Sequence, residues 1–205
     1  MILEGIVTTV SPTGEVNIAP MGPLVDPGAA SGEPARIVLR PYRTARTYAN
    51  LRDHGEGVLH VTDDVLLLAR AAVGALDPPP PMRPAARVRG WVLVDACRYH
   101  EFRVIAHDES AERVRLEAEV VHTGRIRDFF GFNRAKHAVV EAAILATRTA
   151  LLPMDEIESE YRRFSVLVEK TGGPQEHAAF AFLQQYLQQI RNRSPDKTHQ
   201  SEPEA

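Results

Sequence analysis

Between Val114 and Val120 the chain alternates without a break: Val114, Leu116, Ala118 and Val120 are apolar, Arg115, Glu117 and Glu119 charged. A period of two sends successive side chains to opposite faces, so ERVRLEAEVVHTGRI predicts a long half-buried strand. A second β-rich segment, RVRGWVLVDACRYHEFRVIAHD, precedes it, with Glu109, Ser110 and Ala111 in the bend. At the N-terminus, ILEGIVTTV and EVNIAPMG flank SPTG, which predicts two strands around a tight turn. Pro20, Met21 and Gly22 are expected to end the second of them, because they cannot continue a regular ladder. Gly, Pro, Ala and Ser from Val25 to Ala35 predict a loop, ARIVLR a third strand, and GVLHV a fourth. A helix is expected from Thr44 to about His54. Thr62 or Asp63 is expected to cap a second one, DDVLLLARAAVGAL, and Pro78 to Pro81 form a stiff connector.

After Asn133 the apolar spacing becomes helical. NRAKHAVVEAAILATRTALL is apolar around most of its circumference, DEIESEYRRFSVLVEKTGG carries an Asp155–Glu158 pair expected to form a capping box and a Gly172 stop, and PQEHAAFAFLQQYLQQI repeats apolar residues at Ala179, Leu183, Tyr186, Leu187 and Ile190. From Asn192 onward apolar residues almost vanish, which predicts a disordered tail. Strands joined by short turns or single helices, followed by helices alone, predict an antiparallel β-barrel with a C-terminal helical cap rather than a doubly wound sheet. The expected divisions are 1–131 for the barrel, 132–191 for a helical region packed on it, and 192–205 for the tail.

Composition narrows the function classes. The 205 residues are 44% hydrophobic and 25% charged, with a formal charge of -3, so no strongly basic nucleic-acid coat exists and no nucleic-acid partner is expected. Lysine occurs only at Lys136, Lys170 and Lys197, so nearly all positive charge is arginine. That suits planar contacts to phosphate or carboxylate, or reflects genomic base composition. The single cysteine, Cys97, excludes an internal disulfide and reads as a packed core thiol. MILEGIVTTV lacks the basic start of a signal peptide, and no apolar run is long enough to span a bilayer. A cytoplasmic protein without membrane partners is expected.

The common nucleotide, zinc-protease and hydrolase signatures are absent. His100, His107 and His122 could meet across two strands, but read as strand-surface histidines, and no metal is expected. The segment RPYRTARTYANL stands out. It places Arg40, Arg43 and Arg46 three residues apart, with Thr44 and Thr47 among them, where a helix begins. A helix N-terminus with arginines and hydroxyls is the sequence form of an anion site; the alternative is a solvated arginine face with Thr44 as a simple cap. A further helix places Asn133, His137 and Glu141 four residues apart, a polar stripe that lines a pocket or bonds helix to barrel.

Three stretches together, TTVSPTGEVNIAPMGP, IVLRPYRTARTYANL and GEGVLHVTDD, resemble the FMN-binding split-barrel superfamily of flavin reductases and pyridoxamine-phosphate-oxidase-like proteins. NIAPMGP, the Arg-Pro before TARTYANL, VTDDV and FNRAKHAVVEAAILATR are similar to one branch of it, a family known only as a domain of unknown function. The resemblance runs from about Ile2 to Tyr186. It implies a noncovalent FMN site, the phosphate held by Thr44, Thr47, the amides between them and Arg43 or Arg40, next to Pro41 and Tyr42. It implies that Asn17, Ala19, Pro20, Met21 and Gly22 lie against the flavin ring, whose polar edge needs a close approach of backbone. Asn133 is a candidate to line the flavin pocket, and Lys136 and Arg134 are candidates to reach an anionic substrate or the cofactor of a neighbouring subunit. A homodimer with FMN at the subunit interface follows from the same resemblance.

The activity expected is that of an FMN-dependent oxidoreductase acting on a small molecule, in which the flavin carries the chemistry and no lone catalytic residue is needed. A non-catalytic FMN carrier or sensor remains open, as does a binding module for another phosphorylated ligand such as pyridoxal phosphate.

Overall fold

The computed structural model describes residues 1–25 and 34–193. The chain divides into two compact units, Met1–Phe132 and the residues from Asn133 on. Most of the loop expected over 25–35 lies outside the described residues. So does the expected tail, except that Asn192 and Arg193 belong to the last helix.

The first unit begins with β1 (Gly5–Val10) and β2 (Val16–Met21), an antiparallel hairpin. Gly14 turns it at φ +92, a conformation that disfavours a side chain. β3 (Leu24–Val25), β4 (Arg36–Leu39), α1 (Arg46–His54), β5 (Glu56–Val61) and α2 (Val65–Ala72) follow. β6 (Met82–Pro84) pairs with β7 (Trp91–Leu93) as a separate ribbon, and β8 (Arg98–Asp108) and β9 (Arg115–Arg125) form a long hairpin. The segment 87–108, expected to be β-rich throughout, thus breaks into β7 and β8. Seven strands form one curled antiparallel sheet in the order β2-β1-β5-β8-β9-β4-β3.

Ladder parity corrects one expectation. Ser11 N–H donates to Glu15 O at 2.8 Å, Leu3 N–H to Pro23 O at 3.0 Å, and Met1 and Val25 exchange bonds at 2.9 Å, so odd-numbered residues carry the hydrogen-bonded pairs. Pro20 is even-numbered. Its missing N–H falls on the free edge of β2, away from β1, so the strand runs through Pro20 and Met21 instead of ending there. Beyond Gly22 and Pro23 the chain keeps residues 1–3 on one side and takes β4 on the other: Ile2 bridges Leu24, and Leu24 pairs with Val38. This change of neighbour curls the sheet back on itself. Gly22 sits at the seam, where an added Cβ would come within 2.6 Å of Ile2 Cγ2.

Val7, Ile37, Leu39, Leu59, Phe102, Val114, Leu116 and Ala118 fill the inside of the sheet, with Tyr48 and Leu51 contributed by α1. The alternation read at 114–120 accordingly faces this core. On the other face, Val58, Val92 and Tyr99 pack with Ala85 and Val88, which brings in the β6–β7 ribbon. Side chains anchor that ribbon more than periodic packing does. The buried Glu101 carboxylate accepts the N–H groups of Ala86, Arg87 and Val88 at 2.8, 2.5 and 3.2 Å, and His60 Nε2 accepts Leu93 N–H at 3.1 Å. Cys97 is free and buried. His100 is not a surface residue: it is buried and bonded to Thr123 at 3.0 Å. The cap of α2 is Asp64, whose Oδ1 accepts Leu67 N–H at 2.9 Å. Asp63 binds Arg127 and Phe130 N–H, and Thr62 accepts Asp64 N–H, so neither caps the helix.

The second unit contains α3 (Arg134–Ala146), α4 (Met154–Thr171) and α5 (Pro174–Arg193). Five alanines and Val139 form the buried side of α3. Helix α4 starts at Met154 with Pro153 as N-cap and no side-chain cap bond, so the expected Asp155–Glu158 box does not form. Asp155 is already helical and cannot cap, and Glu158 instead pairs with Arg191 at 3.0 Å. No helix among the described residues is long and apolar enough to cross a membrane.

Candidate functional site

Thr9 and Asn17 face each other across the β1–β2 ladder, and opposed residues of an antiparallel pair share a face. Helix α1 lies against that face. Asn17 Nδ2 donates to Thr47 Oγ1 at 3.0 Å and lies 3.5 Å from Thr9 Oγ1, while Asn50 Nδ2 donates to Thr9 Oγ1 at 3.0 Å. Thr9, Thr47 and Asn50 are buried and Asn17 half-buried. A buried amide or hydroxyl needs such partners, and here the partners tie the first turn of α1 to the edge strand β2.

The connector ahead of α1 is held from the β8–β9 turn. Arg113 lies over the Tyr42 ring, 4.3 Å from its centre, and donates to Tyr42 OH at 2.9 Å. Arg43 donates to the carbonyls of Glu109 and Ala111. Its guanidinium therefore fixes the connector to the turn. Hydrogen bonding to the Glu109 carboxylate, then burial, raises the Tyr48 phenol above its usual value.

Helix α1 begins at Arg46, two residues later than expected. Ala45 is its N-cap, no side chain caps it, and its first turn has no acidic residue. Thr44 is thus not the cap: it lies outside the helix, exposed, one residue before the N-cap. The Ala45 N–H is taken by Tyr42 O at 3.0 Å, but the N–H groups of Arg46, Thr47 and Tyr48 have no intrahelical acceptor, and this start also carries a partial positive charge. Arg40 is exposed at the end of β4, and Arg46 meets Glu15 at 3.1 Å on the surface.

The strand edge completes the arrangement. By ladder parity, Ile18 and Gly22 turn N–H groups, and Pro20 a carbonyl, away from β1. No described strand pairs with that side of β2. Ala19 and Met21 put their side chains on the face of Asn17. An uncapped helix start and an open strand edge thus lie side by side, joined by the Asn17–Thr47 bond.

The family model described as "Protein of unknown function (DUF447) N-terminal domain" matches residues 3–127, and its companion, "Protein of unknown function (DUF447)", matches residues 133–185. The chain belongs to the DUF447 family. Among solved structures, an FMN-bound DUF447 protein from Methanosarcina mazei is similar at 22% identity and a TM-score of 0.74, covering 90% of this chain and 94% of that one. A 2-nitrobenzoate 2-nitroreductase from Pseudomonas fluorescens is similar at 15% identity and a TM-score of 0.50, over 60% of this chain and 64% of that one. An NADH:FAD oxidoreductase from Streptomyces globisporus C-1027 is similar at 12% and 0.50, over 60% and 70%. These likenesses establish the fold of this DUF447 chain as the split barrel of FMN-binding proteins. No curated protein matches it in sequence.

Of the residues singled out in sequence, the barrel unit brings Asn17 and Thr47 into contact and sets Ala19, Pro20, Met21 and Gly22 along the adjoining edge. Arg40, Pro41, Tyr42, Arg43 and Thr44 line the connector. Asn133 and Lys136 belong to the other unit of the DUF447 chain, where their polar groups have structural partners. Asn133 caps α3 by accepting Lys136 N–H at 3.1 Å and donates to Thr171 O at 3.0 Å, and Lys136 pairs with the buried Glu176 at 2.7 Å. His137 and Glu141 are exposed, so the expected stripe is not buried. Sequence reading missed Thr9 and Asn50. Both sit where apolar residues are usual, within TTV and YANL, and a buried polar residue inside a periodic element was the signal available.

Proposed function

We propose that this DUF447 chain binds FMN noncovalently, with the phosphate at the start of α1 and the flavin ring along the free edge of β2. The observation that carries the reading is the Asn17–Thr47 bond, which joins those two features at 3.0 Å. The residues fit the group. An uncapped helix start without acidic neighbours suits a dianion, and exposed Thr44 offers a hydroxyl beside it. The unpaired backbone of Ile18, Pro20 and Gly22 suits the polar edge of a flat ring. The M. mazei relative, of the same family, is FMN-bound.

When bound, FMN would supply hydride and electron transfer. The chain would supply position: α1 and Thr44 fix the phosphate, and the β2 edge orients the ring. We extend the proposal to an oxidoreductase acting on a small molecule, in keeping with the nitroreductase and NADH:FAD oxidoreductase activities named for two proteins of similar fold, and to a cytoplasmic homodimer with FMN between subunits, since no described strand covers the outer edge of β2.

Titration of the purified chain should quench FMN fluorescence at micromolar concentrations, with about one FMN per chain. FAD should bind more weakly. Absence of quenching refutes the cofactor assignment, and an absorption spectrum of pyridoxal phosphate in its place would identify the other phosphorylated ligand. Rapid mixing with NADH or NADPH should bleach the bound flavin; an unbleached flavin would make the protein a carrier. Light scattering should give a dimer.

A further inference from the structure

We infer that Asn17, Thr9 and Asn50 act as positioning residues that fix the Thr47 hydroxyl as a hydrogen-bond donor to the cofactor phosphate. This rests on the FMN reading. Asn17 Nδ2 carries hydrogens and no lone pair, so its 3.0 Å contact with Thr47 Oγ1 occupies a lone pair of the hydroxyl and cannot accept its proton. The Thr47 proton must therefore point elsewhere, and no group of the described chain accepts it. Thr47 is the second residue of α1, in the turn whose amides are uncapped.

Asn17 is itself held in place. Its Nδ2 also lies 3.5 Å from Thr9 Oγ1, and Thr9 is secured from the far side by Asn50 Nδ2 at 3.0 Å. In this relay Asn50 and Asn17 both donate to Thr9 Oγ1, and Asn17 donates also to Thr47, across β1, β2 and α1. Thr9 is fully buried, Thr47 is 2% exposed and Asn50 3%. A hydroxyl in such a site does not rotate freely as it would in water, so its direction is set before the ligand arrives, which is the physical meaning of preorganisation.

A network that merely holds α1 onto the hairpin would affect every flavin equally, whereas one that aims a donor at phosphate affects FMN and spares riboflavin. The test measures affinity for FMN and for riboflavin in the full chain and in single variants, with thermal melts to follow folding. The unaltered chain should prefer FMN. Thr47→Val should reduce that preference by tenfold to a hundredfold, on the order of one hydrogen bond to a charged group. Thr9→Val, which leaves Thr47 intact, should remove several-fold of the preference, and Thr9→Ser should restore it. If Thr9→Val does not fold, Asn17→Ala carries the same comparison. Equal losses for both flavins, or an unchanged ratio in Thr9→Val and Asn17→Ala, would overturn the relay and leave the FMN reading standing. An unaltered chain that takes up neither flavin would overturn both.

Discussion

The two units handle buried polarity in opposite ways. In the barrel unit Thr8, Thr9, Thr47, Asn50, His60, Asp63, His100 and Glu101 are all buried, spread over strands, connectors and α1. In the helical unit only Glu176 joins them among the described residues, at the turn between α4 and α5, and the buried side of α3 is alanine and valine. A helix satisfies its backbone internally and can pack closely on small side chains. A strongly curled sheet with an appended ribbon leaves donors and acceptors that side chains must meet. The difference teaches where chemistry can be placed: polar groups already fixed inside the barrel can be turned toward a ligand, while the alanine face of α3 has none to offer.

The largest effect expected is at Glu101. Its buried carboxylate accepts three backbone N–H groups from the β6–β7 ribbon, so Glu101→Ala would remove three part-buried bonds to a charged acceptor and cost about 4 kcal/mol. Denaturant unfolding should show it, and a loss below about 1 kcal/mol would mean that the ribbon is held by packing alone. The helical unit has a counterpart in Lys136 and Glu176. Burial alone would raise the Glu176 carboxyl, but Lys136 and the N–H of Gly173 together hold it below its ordinary value. Lys136→Met should cost about 3 kcal/mol, because it strands a buried charge, and the added change Glu176→Gln should recover much of that. If the double change is as damaging as the single one, the ion pair is not what holds this turn.

A somewhat smaller effect is expected from acid. His60 accepts Leu93 N–H at Nε2 and donates to Ile6 O from Nδ1, so its ring is neutral in the fold, and burial pushes its pKa down to about 4 from 6.5. The unfolded chain therefore binds the proton more tightly. The contribution is complete above pH 6.5 and is lost as the pH falls toward about 4, amounting to about 3 kcal/mol. Urea midpoints measured across that window should fall in the native chain and fall less in His60→Gln; parallel slopes would remove His60 as the cause. The smallest effect belongs to the surface pair Arg46–Glu15, with side chains 64% and 67% exposed. Arg46→Ala should change stability by no more than about 0.5 kcal/mol.

Period and turn chemistry carried much of the fold. The alternation at 114–120 does face the core, and SPTG does turn a hairpin. What periodicity cannot carry is a bond between distant residues. Nothing at Glu101 signals that it will gather three amides from residues 86–88, so the ribbon stayed unread. Helix starts were misread for a related reason: Thr44 and Asp155 are good capping residues, but the backbone turns into helix two residues after the first and one residue before the second, and only the entering chain decides that. Pro20 was misread because its effect depends on which side of the strand its nitrogen faces, a question of register. In the candidate site, Asn17 and Thr47 were legible, while Thr9 and Asn50, which hold them, lay hidden inside ordinary strand and helix patterns.

Pro20 has a further consequence, for self-association. An open strand edge offers a row of donors and acceptors on which another chain can add, and growth of that kind ends in aggregates or swapped domains. A strand docking along β2 would need partners at Ile18, Pro20 and Gly22, and at the middle position it would find an acceptor with no donor and a pyrrolidine ring in its path. A small planar molecule needs only one or two of those groups. One residue would thus filter by length, leaving the edge open to a short guest and closed to an extended polypeptide.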